Sequence, residues 1–164
     1  MKSISTTKTA CFLFLTLIPS VFAHASTAQH VEQNTLVPKV FDAWVKTTVP
    51  GGTVSAAYMK IKSPAALKLV KAESPAAGIV EIHSMKMTDG VMEMKALEAL
   101  HVPADKLLDL KPGGVHIMLM KVRRPINKGD KIPLILTFES AGKKPVVVKL
   151  DVAARENSSD AHNH

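Results

Sequence analysis

A two-residue turn at Asp89-Gly90 constrains the fold of this chain more than any other feature of its sequence. Asp-Gly is a strong signal for a tight β-hairpin turn, and it separates two strand-like runs, His83 to Thr88 and Val91 to Lys95. A two-residue loop fixes the register of a hairpin, so Met85 is expected to pair with Met94. The sequence therefore predicts two paired strands with a defined set of side chains on each face.

The rest of the chain also consists of short runs between turn residues. Strands are expected at Val37 to Thr47, Val54 to Lys62, Leu67 to Ala72, Ile79 to Met87, Ile132 to Phe138 and Val146 to Val152. Leu97 to Leu110 shows no convincing amphipathic helix, and turns such as Pro112-Gly113-Gly114 punctuate the chain. Many short strands with regular turns predict an all-β fold, a single-domain sandwich or barrel.

The N-terminus has the composition of a secretory leader. Two lysines precede an apolar run from Ala10 to Phe22, which is too short to span a membrane, and Ala23-His24-Ala25 is a cleavage signal. The mature protein is therefore expected in the periplasm, without a membrane span. The predicted divisions are a leader at 1–25, a polar lead-in at 26–35, a β-sandwich domain at 36–154 and a flexible tail at 155–164.

The single cysteine, Cys11, falls in the predicted leader, so the mature chain is expected to have no thiol. Thiol–disulfide exchange, a cysteine nucleophile and structural disulfides are thereby excluded. A blue-copper electron carrier is excluded as well, because its metal site needs a cysteine thiolate. The domain must be stabilised by its core alone, which a chain of this length can supply.

The chain is basic, with 21 lysine and arginine residues against 14 acidic ones and a net charge of +7. In an exported protein this excess is expected to form a solvated surface, and no nucleic-acid partner is predicted. A weaker alternative is that Lys121, Arg123 and Arg124 dock on an acidic partner or an anionic membrane. No acid–base pair, hydrolytic triad or phosphate loop is apparent, so the chain is not predicted to be an enzyme.

Two imidazoles and two thioethers are the candidate metal ligands. On a strand that begins at Val115, His116 and Met118 share a face, with Cα atoms roughly 6 to 7 Å apart. In the hairpin register, His83 and Met94 are diagonal neighbours, roughly 7 to 8 Å apart, with Met85 as a possible auxiliary ligand. Each pair can therefore converge on one ion.

The chemistry of this ligand set favours copper. Thioether sulfur is a soft neutral donor and imidazole a borderline one, which together prefer Cu(I) over Zn(II), Ca(II) or Mg(II). Any single methionine is more often core packing or contact surface, and it is the combination that points to a metal. At the tail, His162 and His164 are either part of a disordered end or an auxiliary Cu(II) site, since neutral imidazoles suit Cu(II).

These residues resemble the periplasmic copper chaperone family PCu(A)C. Its spacing is His, ten residues, Met, twenty-one residues, His, one residue, Met, which His83, Met94, His116 and Met118 reproduce. Ser84 stands where many members have a further methionine, a position that Met85 is a candidate to replace. Other similar stretches are Asp42 to Val45, Ala57 to Met59, Gly90 to Met94, Leu110 to Gly114, His116 to Met120 and Leu136 to Phe138.

The resemblance implies a cupredoxin-like β-sandwich that carries Cu(I) through these four residues. It further implies delivery toward the binuclear copper site of cytochrome c oxidase, with the copper-bearing oxidase subunit and a thiol-bearing copper chaperone as partners. The protein is expected to act as a monomer. Trp44 is expected to be a core anchor rather than a lid over the site, because aromatic side chains dominate core burial.

Three alternatives stay open from the sequence. The first is a copper storage or resistance protein rather than a delivery protein. The second is a metal-independent binding module with a Met-rich surface. The third is a copper enzyme, which requires processing after Ala23 so that His24 becomes the N-terminus and chelates Cu(II). Cleavage after Ala25 fits the signal better and discards His24.

Overall fold

The computed structural model describes residues 37–156, which form ten β-strands and no helix. The strands are β1 (Lys39–Lys46), β2 (Val54–Lys62), β3 (Leu67–Glu73), β4 (Ala77–Thr88), β5 (Val91–Leu97), β6 (Leu100–Val102), β7 (Leu107–Leu110), β8 (Val115–Val122), β9 (Lys131–Glu139) and β10 (Val146–Arg155). Within that range no helix has the length and apolarity to cross a membrane. The predicted leader, the lead-in and the histidines of the tail lie outside the described residues.

The strands are joined by hydrogen bonds along one path, β5-β4-β8-β2-β1-β10-β9-β3-β6, with β7 paired to β2. The ambiguous stretch before β8 holds two short strands, β6 and β7. One hydrophobic cluster takes side chains from nearly the whole path, from Ile82 on β4 to Val102 on β6. Leu134, Leu136 and Phe138 on β9 are fully buried in it, as their alternation predicts. The prediction of an all-β fold is confirmed.

The hairpin has the register that its turn predicts. Thr88 pairs with Val91, and Met85 pairs with Met94. Asp89 and Gly90 have φ angles of 49° and 79°, as a tight turn with two left-handed residues requires. Because side chains alternate along each strand, this register determines which of them share a face with His83.

A β-bulge in β1 changes the direction of Trp44. Val40 pairs with Ile61 but Trp44 pairs with Tyr58, so β1 carries one extra residue between the two pairs. Asp42 has a φ of 52° there, and its carboxylate lies 2.8 Å from Lys60 Nζ, an interaction that raises the pKa of Lys60. An extra residue reverses the alternation of faces beyond it.

Beyond the bulge, Val45 is fully buried, whereas Trp44 is half-buried and lies outside the core cluster. The ring of Trp44 packs instead on Tyr58, with ring centroids 4.5 Å apart. The prediction that Trp44 anchors the core was therefore wrong, because a bulge cannot be recognised from residue types alone.

Candidate metal centre

Strand β8 places two candidate ligands on the face of the sheet turned away from the core, the outer face. Ile117 and Leu119 are fully buried in the core cluster, so the alternating residues His116 and Met118 point to the other side. His116 is nevertheless only 4% exposed. An imidazole that is buried outside the hydrophobic core must be covered by neighbours on the same face.

The neighbour of His116 on β4 is the other candidate histidine. His83 is its direct partner in the antiparallel pairing of β4 with β8. The two ring centroids lie 5.9 Å apart with an interplanar angle of 65°, and His83 is 9% exposed. Two buried imidazoles thus lie side by side, which the sequence alone does not indicate.

Methionines border the same place. Met85, Met94, His116 and Met118 line one cavity of about 290 Å³. His83 is not among the residues that line this cavity, but its ring packs against that of His116, which does line it. Met94 is 45% exposed, whereas Met118 is half-buried. The structure therefore brings all four candidate ligands, and Met85, to one side of the β5-β4-β8 part of the sheet.

Hydrogen bonds assign the protons of His116. Its Nδ1 lies 3.1 Å from the carbonyl oxygen of Gly114, which can only accept, so Nδ1 is the donor. The lone pair of a neutral ring is then on Nε2. The same carbonyl accepts the backbone N–H of Met85 at 3.1 Å. One oxygen therefore orients the ring and joins β4 to the start of β8.

His83 is oriented by a carboxylate. Its Nε2 lies 2.8 Å from Glu81 Oε2, two residues earlier on the same face of β4, so Nε2 donates and the lone pair is on Nδ1. Of the buried side-chain nitrogen and oxygen atoms in residues 37–156, only His83 Nδ1 has no hydrogen-bond partner. A buried polar atom without a partner is costly, and this lone pair is available to bind a metal ion.

Sequence reasoning missed two residues of this face, Tyr58 and Glu81, and assigned a third, Trp44, to the core. Tyr58 packs beside the site, 6.2 Å from His116 between ring centroids, and Trp44 packs on Tyr58. Nothing in the sequence shows that β2 and β8 are neighbours. Glu81, unlike Tyr58 and Trp44, could have been found from the sequence. The spacing Glu-x-His places both side chains on one face of any strand.

The donor set is soft and neutral. Two imidazole nitrogens with free lone pairs and two thioether sulfurs suit monovalent copper better than zinc or a hard cation. In the described part of the chain, no three histidine, cysteine or acidic side chains are grouped so as to hold a metal.

Comparison with known proteins identifies the family. The family described as "Putative lipoprotein LpqE-like" matches residues 39–150. The chain belongs to the LpqE-like family. A relative named "Putative lipoprotein Lxx21020", from Leifsonia xyli subsp. xyli (strain CTCB07), is 34% identical over 111 residues, which is 67% of either chain.

Solved structures give the fold of this LpqE-like protein. Apo-DR1885 from Deinococcus radiodurans is 25% identical over 94% of this chain and 98% of its own, with a TM-score of 0.56. CuI-DR1885 from the same organism is 28% identical over 82% and 87%, with a TM-score of 0.54. The copper-bound PCuAC domain from PmoF2 is 21% identical over 73% and 96%, at a TM-score of 0.56. The predicted PCu(A)C resemblance and cupredoxin-like fold are confirmed.

Proposed function

We propose that this LpqE-like protein is a copper carrier that holds Cu(I) between His83, Met94, His116 and Met118. The observation that carries the proposal is the buried cross-strand pair of imidazoles, in which His83 Nδ1 has no hydrogen-bond partner. The Cu(I)-bound relative from Deinococcus radiodurans supports it.

In this proposal the copper is cargo rather than a resident cofactor. The thioethers need no deprotonation to bind copper and no protonation to release it, and all four ligands are neutral. Met94 is 45% exposed, so a partner can reach one ligand from solvent. Four donors fill the coordination of Cu(I) and leave no open position for a substrate, which favours transfer over catalysis.

The proposed setting follows from the leader and from the family. We infer that residues 1–25 direct export to the periplasm and are removed. The family and the relative from Leifsonia xyli are both named as putative lipoproteins, but Cys11 lies near the start of the apolar run and its preceding residues do not resemble a lipid-attachment signal. We therefore infer a free domain over residues 36–154 rather than a lipid-anchored one, and we expect it to act as a monomer.

The proposed recipient is the copper-bearing subunit of cytochrome c oxidase, and a thiol-bearing copper chaperone acts with it. This assignment rests on the PCu(A)C relationship, as does the preference for delivery over storage. His162 and His164 in the tail serve as an auxiliary Cu(II) site. Ending the chain at Arg155 is expected to lower Cu(II) stoichiometry and leave Cu(I) binding unchanged; an unchanged Cu(II) stoichiometry would remove the tail from the proposal.

X-ray absorption of the Cu(I)-loaded protein tests the ligand set. Mixed nitrogen and sulfur scattering is expected, and the double variant Met94→Ala, Met118→Ala should lose tight Cu(I) binding. Met120→Ala is the matched control, because Met120 is half-buried on the outer face of β8 but is not a proposed ligand. Nitrogen-only scattering, or tight Cu(I) binding by the double variant, would overturn the proposal.

A further inference from the structure

The methionines of the hairpin all lie on the side that carries the candidate site. Met85 pairs with Met94 and Met87 pairs with Met92, so the hairpin presents two successive methionine pairs on the face of His83. The opposite face carries charged and polar pairs, Lys86 with Glu93 and Ser84 with Lys95. We name Met85 and Met94 the inner pair, and Met87 and Met92 the outer pair.

Packing does not account for the outer pair. Met87 is 57% exposed and Met92 is 53% exposed, and neither belongs to the core cluster. Met59, by contrast, is 1% exposed within that cluster. Exposed apolar side chains in a group mark a binding surface, and two opposed thioethers are also a soft donor pair.

The spacing of the two pairs suits transfer between them. Directly opposed residues on antiparallel strands have Cβ atoms about 4.5–5.5 Å apart, so two flexible methionine side chains can bring both sulfurs onto one ion. Successive pairs lie roughly 6–7 Å apart along the strands, within reach of side chains of this length. A metal held at the outer pair is therefore close enough to gain a sulfur ligand from Met94 before it loses one of its first two.

We propose that Met87 and Met92 form a second, weaker Cu(I) site through which copper is loaded and unloaded. This inference rests on the proposed function, since it supplies the path to the site formed by His83, Met94, His116 and Met118, which we call the inner site. Inward transfer breaks the Cu–S bonds to Met87 and Met92 and forms bonds to the sulfurs of Met94 and Met118 and to the free ring nitrogens of His83 and His116. Copper stays monovalent and both ring nitrogens already carry a lone pair, so no electron or proton is needed. Two exposed donors bind less tightly than four partly buried ones, which directs copper inward until a partner removes it.

The binding arm of the test uses Ag(I), a monovalent soft ion that does not change oxidation state. Methionine methyl groups labelled with ¹³C are followed by NMR during titration. The first equivalent is expected to shift Met94 and Met118, and further metal is expected to shift Met87 and Met92. In the double variant Met87→Leu, Met92→Leu the second binding event should disappear and the first should stay.

The kinetic arm follows uptake of Cu(I) from a coloured chelator complex. The same double variant should take up Cu(I) several-fold more slowly at an unchanged equilibrium affinity, because leucine keeps the apolar surface but removes the sulfur. Met120→Leu removes a thioether elsewhere on the outer face and is the control, expected to behave as the wild type. Leucine variants with the wild-type rate, or methyl resonances of Met87 and Met92 that stay unmoved in excess Ag(I), would overturn the inference.

These outcomes separate the two proposals. Absence of the first binding event in the wild type would contradict the inner site and hence the proposed function. A first event without a second would contradict only the outer pair, and the exposed methionines would then be a contact surface for a protein partner.

Discussion

The interior and the outer face of strands β2, β4 and β8 use the same residue type for different purposes. Met59 is 1% exposed in the core, where it pairs with Leu110, whereas Met118 is half-buried beside two histidines. Both are methionines in a sheet, and only the direction of the side chain distinguishes them. In this protein the face of the strand, and not the residue type, separates a stabilising methionine from a candidate ligand.

The largest effect is expected when that difference is tested with two alanine variants. Met59→Ala should lower the free energy of unfolding by about 2–5 kcal/mol, because it leaves a cavity in the core. Met118→Ala should cost less, since its side chain is only half-buried. Urea denaturation of both apo variants measures the two losses.

Copper should reduce the stability advantage of Met118→Ala over Met59→Ala. A ligand that binds only the folded state stabilises it by about 2.7 kcal/mol when its free concentration is about 100 times Kd. We expect Met59→Ala to retain this gain and Met118→Ala to lose most of it when denaturation is repeated with Cu(I). A Met118→Ala variant that gains as much as the wild type would show that the outer-face methionine is not a ligand.

Local pattern was sufficient to predict that the candidate ligands of each pair share a face, but not that the two pairs lie side by side. The Asp89-Gly90 turn set the hairpin register, and alternation around His116 and Met118 set which side chains share a face. Both are short-range consequences of chain geometry. The direct pairing of His83 with His116 joins two strands that are far apart in the sequence, so no local pattern contains it.

The remaining features of the site depend on contacts that sequence pattern does not encode. The bulge at Asp42 turns Trp44 outward because one extra residue reverses the alternation of β1. Tyr58 enters the site only because β2 lies beside β8. Glu81 was within reach of sequence reasoning, since its spacing from His83 is local, yet its role emerges only when the hydrogen bond is seen.

The carboxylate of Glu81 gives a smaller, sharper test of the outer face. Glu81→Gln should lower Cu(I) affinity by roughly tenfold, because partners that orient a metal-binding histidine typically contribute 10–100-fold. The amide oxygen can still accept a hydrogen bond from His83 Nε2–H. It lacks the negative charge that makes Nδ1 of the ring a stronger electron-pair donor to the metal. Competition with a Cu(I) chelator measures the affinity.

Glu93→Gln is the matched control for Glu81. Glu93 lies on the opposite face of the hairpin, where it pairs with Lys86 and its carboxylate is 3.7 Å from Lys95 Nζ. Its loss should leave Cu(I) affinity unchanged. Equal effects of the two substitutions would mean that overall charge, and not the orientation of His83, controls the affinity.

The smallest effect is expected at a carboxylate that belongs to the scaffold. The backbone N–H of Asn127, and after it the Arg124 guanidinium, lower the pKa of Asp130 against the opposing effect of desolvation. A lowered pKa in the folded state means that the unfolded state binds more protons at acid pH. The stabilisation is therefore complete above the unfolded value of about 3.9 and is lost as pH falls through the folded one.

Asp130→Asn should lower the urea midpoint slightly near neutral pH. The difference from the wild type should shrink as the pH falls below about 4, because the carboxylate of the unfolded wild-type chain then begins to bind its proton while that of the folded chain does not. Cu(I) affinity at neutral pH should be the same in both proteins, since Asp130 holds the turn before β9 and contacts none of the candidate ligands in the described structure. A changed affinity would mean that the scaffold turns and the outer face are coupled, and that the division between stabilising and binding regions is less complete than their side-chain directions indicate.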